Sequence, residues 1–188
     1  GTLAHELSEL KLKHYLDPKG FGKRKLNAAV KKLKENELYQ TEMDSYTDSY
    51  VDFIKEKALR YSSQPYIEIE KRVDFSKWVE GGFGTCDCII IHGNTLSIVD
   101  LKYGKGVPVS AEQNEQLILY ALGAYEAFSL IYQIEHIEMN IVQPRLNNIS
   151  SWTADLTELL LWGDYFKFQA EKALSGDGEL VPSAKACK

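Results

Sequence analysis

Long apolar segments, cysteine pairs and proline-rich linkers are all missing from this chain of 188 residues. No stretch approaches the ~18 uncharged apolar residues that a membrane-spanning helix needs, so we expect no membrane partner. The three cysteines show no CxxC spacing, which excludes a disulfide scaffold and a zinc knuckle. With only 13 glycines and five prolines, a collagen-like or low-complexity chain is excluded as well. These absences leave a globular protein, which we expect in the cytoplasm.

Internal repeats are also absent, and no linker divides the chain. A length of 188 residues, 44% of them hydrophobic, is enough for one domain with its own core. We therefore predict a single domain over 1–188. Within it, 1–65 is expected to be mostly helical, and 66–174 to hold the sheet core and its helices.

Charge is distributed unevenly along the chain. The formal net charge is −5, yet the segment 11–34 contains nine Lys or Arg residues and only one acid, Asp17. A basic face on an acidic body can bind phosphate groups. A solvated, lysine-rich helix would have the same composition. The sequence leaves both interpretations open.

Hydrophobic spacing predicts three helices followed by a small sheet with further helices. The predicted helices run from Thr2 to about Tyr15, over 23–38, from Met43 to about Tyr61, over about 111–131 and over about 153–174; the predicted strands are 67–75, 83–91, 95–101 and 136–143. This order predicts an α/β (α+β) domain with a small mixed sheet.

The hairpin of the second and third strands contains the residues best suited to chemistry. Gly93-Asn94 suits a two-residue turn with glycine first, and such a turn fixes the register of the strands. Continued along both strands, that register pairs Asp87 with Asp100 and puts Lys102 on their side of the sheet, opposite Thr85. Both faces of the hairpin are largely apolar, so we expect it to be central and covered on both sides.

Two facing carboxylates in a covered sheet favour a cation between them. Like charges on directly opposed strand positions are destabilising, and burial disfavours the ionised forms further. Either one aspartate is protonated or a hard cation, Mg²⁺ or Mn²⁺, binds there. The Lys102 ammonium would then lie beside the cation, next to an attacking water or a developing negative charge. A plain salt bridge from Lys102 to Asp87 or Asp100 is the alternative.

Four short motifs follow one another along the predicted elements. They are Gly1-Thr2-Leu3-Ala4-His5-Glu6-Leu7-Ser8-Glu9, Gly84-Thr85-Cys86-Asp87, Asp100-Leu101-Lys102 and Gln116-Leu117-Ile118-Leu119-Tyr120. In this order the sequence resembles the PD-(D/E)XK nuclease superfamily, in its RecB-like exonuclease branch, and more narrowly a phage and prophage family of such proteins. The resemblance covers nearly the whole chain and implies a restriction-endonuclease-like core.

The resemblance also implies roles for particular residues. The implied metal ligands are His5, Asp87, Asp100 and the Leu101 carbonyl, with Lys102 as the catalytic lysine. Gln116 and Tyr120 lie four residues apart on one helical face and would orient DNA or the Lys102 end of the strand. Glu70 would be a further acidic ligand, because some relatives have a glutamate on the preceding strand. Helix packing for Tyr120, a core histidine for His5 and a solvent-facing acid for Glu70 are the alternatives.

Iron–sulfur chemistry is not expected in this chain. Several relatives hold a cluster with one cysteine before the first motif and three near the C-terminus, of which only Cys187 could be represented here. Strand alternation puts Cys86 and Cys88 together on the face opposite the aspartates, where we expect buried thiols.

The sequence therefore predicts a Mg²⁺- or Mn²⁺-dependent DNA nuclease, an exonuclease rather than an endonuclease, of phage or prophage origin and acting in the bacterial host cytoplasm. Recombination or phage replication proteins are the expected protein partners. Two alternatives stay open. One is a catalytically idle DNA-binding or assembly module that retains the nuclease fold, and the other is an unrelated small metal-binding hydrolase acting on a phosphate or carboxylate substrate.

Overall fold

A computed structural model of the chain describes residues 2–175, which form a five-stranded mixed sheet with helices on both faces. The elements are α1 (Thr2–Leu16), α2 (Lys23–Lys34), α3 (Glu42–Leu59), β1 (Tyr66–Asp74), β2 (Phe83–His92), β3 (Thr95–Leu101), α4 (Glu115–Phe128), β4 (His136–Gln143), a 3₁₀ turn (Pro144–Leu146), β5 (Asn148–Asp155) and α5 (Leu156–Leu174). The predicted mixed α/β class is confirmed. No helix in this part of the chain is both long and apolar enough to cross a bilayer.

The strands lie in the order in which they occur in the sequence, β1-β2-β3-β4-β5. All neighbours are antiparallel except β3 and β4, which are parallel. A parallel pair needs a crossover connection, and α4 provides it. The β2–β3 hairpin is therefore central, as predicted.

Each face of the hairpin packs under a different set of helices. Ile89 and Ile98 belong to the core formed with α4 and α5. Cys88 and Val99 belong to a second core formed with α1 and α3. The predicted burial of both faces is confirmed. It explains why the sequences of the two strands are nearly continuous apolar runs.

The sequence analysis missed β5. The last predicted helix begins at about residue 153, but a strand, Asn148–Asp155, continues to the residue before α5. Because β5 is an edge strand rich in polar residues, it shows little of the apolar alternation by which strands are recognised. A helix-start signal was present, since the Asp155 carboxylate caps α5 by accepting from the Glu158 amide at 2.8 Å.

Two other helix boundaries differ from the predicted ones. The α4 helix begins at Glu115 instead of about residue 111, because the Asn114 side chain caps it by accepting from the Leu117 amide at 3.2 Å. The α2 helix ends at Lys34, four residues earlier than predicted.

Candidate functional site

The hairpin register follows the prediction as far as its apolar part extends. Ile89 pairs with Ile98, and the ladder continues to Cys88 and Val99. Beyond this pair the ladder ends, with β2 remaining beside β1 and β3 beside β4. The prediction that the ladder pairs Asp87 with Asp100 is therefore wrong. The two aspartates are instead the first residues past the ladder, at the point where the two central strands separate.

Strand alternation breaks at this point, and the prediction that Cys86 and Cys88 share a face is wrong. Both thiols are buried as expected, but Cys86 lies in the core under α4 while Cys88 lies in the core under α1 and α3. Side chains two residues apart in a regular strand share a face. On β1 the same change of face separates Ile69 from Val73.

The backbone feature that accompanies the change is Glu70, whose φ of 49° lies in the left-handed region. The register on either side puts Glu70 across from Asp87. A residue other than glycine in this region is strained unless its surroundings hold it there, and such residues are concentrated at functional sites. The irregularity therefore lies at facing positions of β1 and β2, Glu70 and Asp87.

The consequence is that Asp87 reaches the α1 side of the sheet. The Leu101 amide donates to Asp87 Oδ2 at 2.7 Å. His5 Nε2 on α1 lies 3.6 Å from the same oxygen and donates to the Leu101 carbonyl at 2.9 Å. Three of the four proposed ligand groups therefore meet: the imidazole of His5, the Asp87 carboxylate and the Leu101 carbonyl.

Asp100 and Lys102 form the other half of the site, next to α4. Lys102 Nζ lies 3.0 Å from Asp100 Oδ2 and donates to Gln116 Oε1 at 2.6 Å. Gln116 Nε2 in turn contacts the Tyr120 hydroxyl at 2.8 Å. Gln116 and Tyr120 are thus on the same helical face as predicted, and they fix the position of the Lys102 ammonium.

Close packing against β2 explains the glycine of the second motif. A Cβ atom at Gly84 would lie only 2.5 Å from the Tyr120 ring, so any larger residue would displace the tyrosine. Gly84 therefore allows Tyr120 to lie over the strand and contact Gln116.

Both aspartates are in an unfavourable environment for negative charge. Burial, together with the nearby Asp100, raises the pKa of Asp87 to about 7. Burial also raises the pKa of Asp100, although the Lys102 ammonium opposes this shift. Raised pKa values on neighbouring carboxyl groups indicate a site with too little positive charge.

Glu70 belongs to this site instead of to the solvent-exposed face of β1. It is half-buried and lines a small cavity together with His5, Glu9 and Asp87. Burial and the nearby Glu9 raise the pKa of Glu70. The alternative of a solvent-facing acid is not supported, and the left-handed backbone that turns this side chain inward has no signal in the hydrophobic pattern.

The residues present fit a divalent cation only with oxygen ligands from outside the chain. Among residues 2–175, no group of three or more His, Cys, Asp or Glu side chains is arranged to hold a metal ion. Asp100 Oδ2 is nevertheless buried, and its contact within the described residues is the ion pair with Lys102 Nζ at 3.0 Å. Mg²⁺ is commonly held by one or two carboxylates, with water and substrate phosphate completing its shell. The Asp87, Asp100 and Leu101 oxygens fit that pattern.

The basic segment divides into a paired part and an open part. Lys11 contacts Asp44, Thr47 and Asp48 on α3, and Lys13 pairs with Glu9. The open part lies on α2, which has no acidic residue and whose basic residues are all exposed. Within the described part of the chain, only Lys34 among them is ion-paired, with Asp44 at 2.7 Å. The other basic residues of α2 are Lys23, Arg24, Lys25, Lys31 and Lys32.

The α2 helix lies close to the site through its apolar face. Leu33 belongs to a cluster with Ala4 and Leu7 of α1 and with Tyr103, the residue directly after Lys102. The buried face of α2 is therefore packed in the same cluster as the first residue of the segment that leaves the site.

Taken together, the fold and the site define a mixed α/β protein with a buried acidic pair and a lysine where a central hairpin separates. The chain belongs to the family described as "Protein of unknown function (DUF2800)", whose family model matches residues 1–188. The match includes every residue of the candidate site, from His5 to Tyr120.

Gln143, a buried amide at the end of β4 that contacts the segment after Lys102, was not predicted as a functional residue. The signal for it was a polar residue at the end of a buried strand, directly before Pro144. Two residues used in the sequence analysis, Gly1 and Cys187, lie outside the described residues.

Proposed function

We propose that this protein is a divalent-metal-dependent DNA nuclease that hydrolyses phosphodiester bonds, a RecB-like exonuclease of the PD-(D/E)XK superfamily and of phage or prophage origin. The resemblance of its four motifs to that superfamily supports the proposal, as does their meeting in one site. The observation that carries it is the pair of buried, charge-deficient carboxylates, Asp87 and Asp100, beside a lysine held at a fixed position.

The proposed ligands are Asp87, Asp100 and the Leu101 carbonyl. His5 lies beside two of these groups, Asp87 Oδ2 and the Leu101 carbonyl oxygen, and Glu70 lies at the edge of the cavity. A Mg²⁺ or Mn²⁺ ion would lower the pKa of the attacking water and stabilise negative charge on the phosphate. The aspartates bind the cation, and their buried position keeps bulk water from competing for it.

The role of Lys102 follows from its contacts. Gln116 and Asp100 hold its ammonium at the mouth of the site, where it can orient a water or stabilise the phosphate as negative charge develops. In the reaction, the water oxygen forms a bond to phosphorus and the bond between phosphorus and the leaving deoxyribose oxygen breaks. The water loses one proton, and the leaving oxygen gains one.

DNA would approach along α2. The buried face of this helix packs in one cluster with Tyr103, the residue after Lys102, so the exposed basic residues on the rest of the helix can attract DNA phosphates towards the site. In this proposal the exposed basic residues of α2 guide the DNA to the same site.

The proposal includes a cellular setting. We infer that the protein acts in the cytoplasm of a bacterial host, where recombination or phage replication proteins would supply or use the DNA ends it processes.

The test is cleavage of end-labelled DNA in Mn²⁺ by the wild type, Lys102→Ala and Lys77→Ala. Lys77 is a matched control because it is an exposed lysine paired with Glu126, outside the site. We expect Lys102→Ala to lower the cleavage rate by roughly 10²–10³-fold and Lys77→Ala to leave it unchanged.

Two other outcomes would replace the proposal. DNA binding without cleavage, equal in all three proteins, would indicate an idle binding or assembly module. Cleavage of a small phosphodiester that DNA does not inhibit would indicate a hydrolase acting on small molecules.

A further inference from the structure

Gln143 is a buried side chain whose whole hydrogen-bonding capacity is directed at one loop and its support. The residue is only 2% exposed. Its Nε2 donates to the carbonyls of Gly104 and Val107, at 3.2 and 3.1 Å. Its Oε1 accepts from the Val109 amide and from Asn148 Nδ2, each at 3.0 Å. Both amide protons and both acceptor positions of the glutamine are therefore used.

The loop that Gln143 holds, 103–114, connects Lys102 to the helix that bears its partner, Gln116. It begins directly after Lys102, the residue that follows β3, and ends at α4. The Lys102 amide donates to the carbonyl of Val142 at 2.9 Å, so Gln143 is the next residue along β4 from the attachment point of Lys102.

The ends of the loop are packed in the cores through Tyr103 and Ala111, but its middle has few other contacts. Residues 104–108 are exposed, and this stretch includes two glycines. The remaining contacts come from β5, where Asn148 Nδ2 donates to the Val109 carbonyl at 3.0 Å and Ser150 Oγ accepts from the Ala111 amide at 2.8 Å. Polar side chains of β4 and β5 thus hold the middle of the loop, where apolar packing is lacking.

We propose that Gln143 is a positioning residue that fixes the loop after Lys102 so that the lysine ammonium meets Gln116 at the site. No other residue type offers two donors and two acceptor positions in that shape, because a glutamate has no N–H and a methionine has neither group. The catalytic part of this inference rests on the proposed nuclease function, whereas the clamp on the loop does not.

The experiment uses Gln143→Met, which keeps the length and shape of the side chain but removes all four hydrogen bonds. The matched control is Asn140→Leu, because Asn140 is another buried amide of β4. It donates to the Ile98 carbonyl and accepts from Ser151, and none of these contacts involves the loop. Each variant is measured for trypsin cleavage after Lys105, identified by mass spectrometry, and for kcat and KM on DNA in Mn²⁺.

We expect Gln143→Met to speed cleavage after the exposed Lys105 by roughly tenfold, since a loop without its clamp opens more often. We expect kcat to fall about 10- to 100-fold with KM changed less than about threefold, because a misplaced lysine slows the reaction while leaving DNA contacts in place. Asn140→Leu should change neither quantity, even if its melting temperature falls.

Unchanged proteolysis after Lys105 in Gln143→Met would overturn the clamp. Faster proteolysis with kcat at the wild-type value would overturn the positioning role and leave only a structural one. If the wild type cleaves no DNA, the proposed function fails, but the trypsin result still decides whether Gln143 holds the loop. Should Gln143→Met fail to fold, Asn148→Ala removes two hydrogen bonds, one to Gln143 Oε1 and one to the Val109 carbonyl, while leaving the other three bonds of Gln143, and is expected to speed the same cut to a smaller extent.

Discussion

The two ends of the central hairpin differ in almost every physical respect, although the same two strands form both. At the turn end, Ile89 and Ile98 pair in a regular ladder and are completely buried. At the far end, alternation breaks, Glu70 has a left-handed backbone, and Asp87 and Asp100 are buried with too little positive charge. The comparison indicates that one end supplies stability and the other uses part of it to hold an unfavourable but functional arrangement.

The largest effect on stability is expected at the turn end. Ile98→Ala removes a fully buried side chain from the core under α4, and the resulting cavity should lower the free energy of unfolding by about 2–5 kcal/mol. Urea denaturation followed by circular dichroism measures this change. A loss below about 1 kcal/mol would mean that the turn end is not the stabilising part of the hairpin.

At the far end, a substitution is expected to raise the free energy of unfolding instead of lowering it, in metal-free protein at pH 8. Asp87→Asn removes a buried charge while leaving an oxygen to accept from the Leu101 amide, so the free energy of unfolding should rise by ~1–3 kcal/mol. The ordinary pKa of Asp87 is 3.8 and its pKa in the native protein is raised to about 7. The native state therefore binds the proton more tightly, and wild-type stability should fall as the pH rises from about 4 to about 7.

Denaturation at pH 4 and at pH 8 tests this sign, with Asp74→Asn as the control. Asp74 is an exposed acid whose pKa is lowered by hydrogen bonds from Ser76, so its replacement should not stabilise the protein at pH 8. The account is contradicted if Asp87→Asn destabilises the metal-free protein at pH 8.

A smaller effect should isolate the backbone strain at Glu70. Glu70→Ala and Glu70→Gly both remove the half-buried carboxyl group, but only glycine adopts a φ of 49° without steric penalty. We expect the glycine variant to be more stable than the alanine variant by ~1 kcal/mol. Thermal melts of the two proteins give this difference directly, and equal melting temperatures would show that the position is not strained.

Much of the regular part of the molecule could be predicted from the sequence because its signals are local. The Gly93-Asn94 turn fixes the register, and Gly93 does adopt the positive φ that such a turn uses. The apolar runs likewise predict a hairpin covered on both sides. The exception is β5, whose polar edge position hides it from hydrophobic periodicity.

The irregular part depended on contacts that no local pattern encodes. The half-buried position of Glu70 and the different faces of Cys86 and Cys88 accompany a left-handed backbone at Glu70, and the sequence contains no signal for a left-handed residue that is not glycine. Gln143 acts on residues between 34 and 39 positions away in the chain, so its role became visible only in three dimensions.

The most direct test of the central claim is a crystal structure of the protein grown in MnCl₂, with data collected at a wavelength where manganese scatters anomalously. We predict an anomalous peak at the separated end of the hairpin, bound by the Asp87 and Asp100 carboxylates beside the Leu101 carbonyl, and its loss in Asp100→Asn. Manganese bound only elsewhere, or no peak at saturating Mn²⁺, would contradict the assignment of this acidic pair as a metal site.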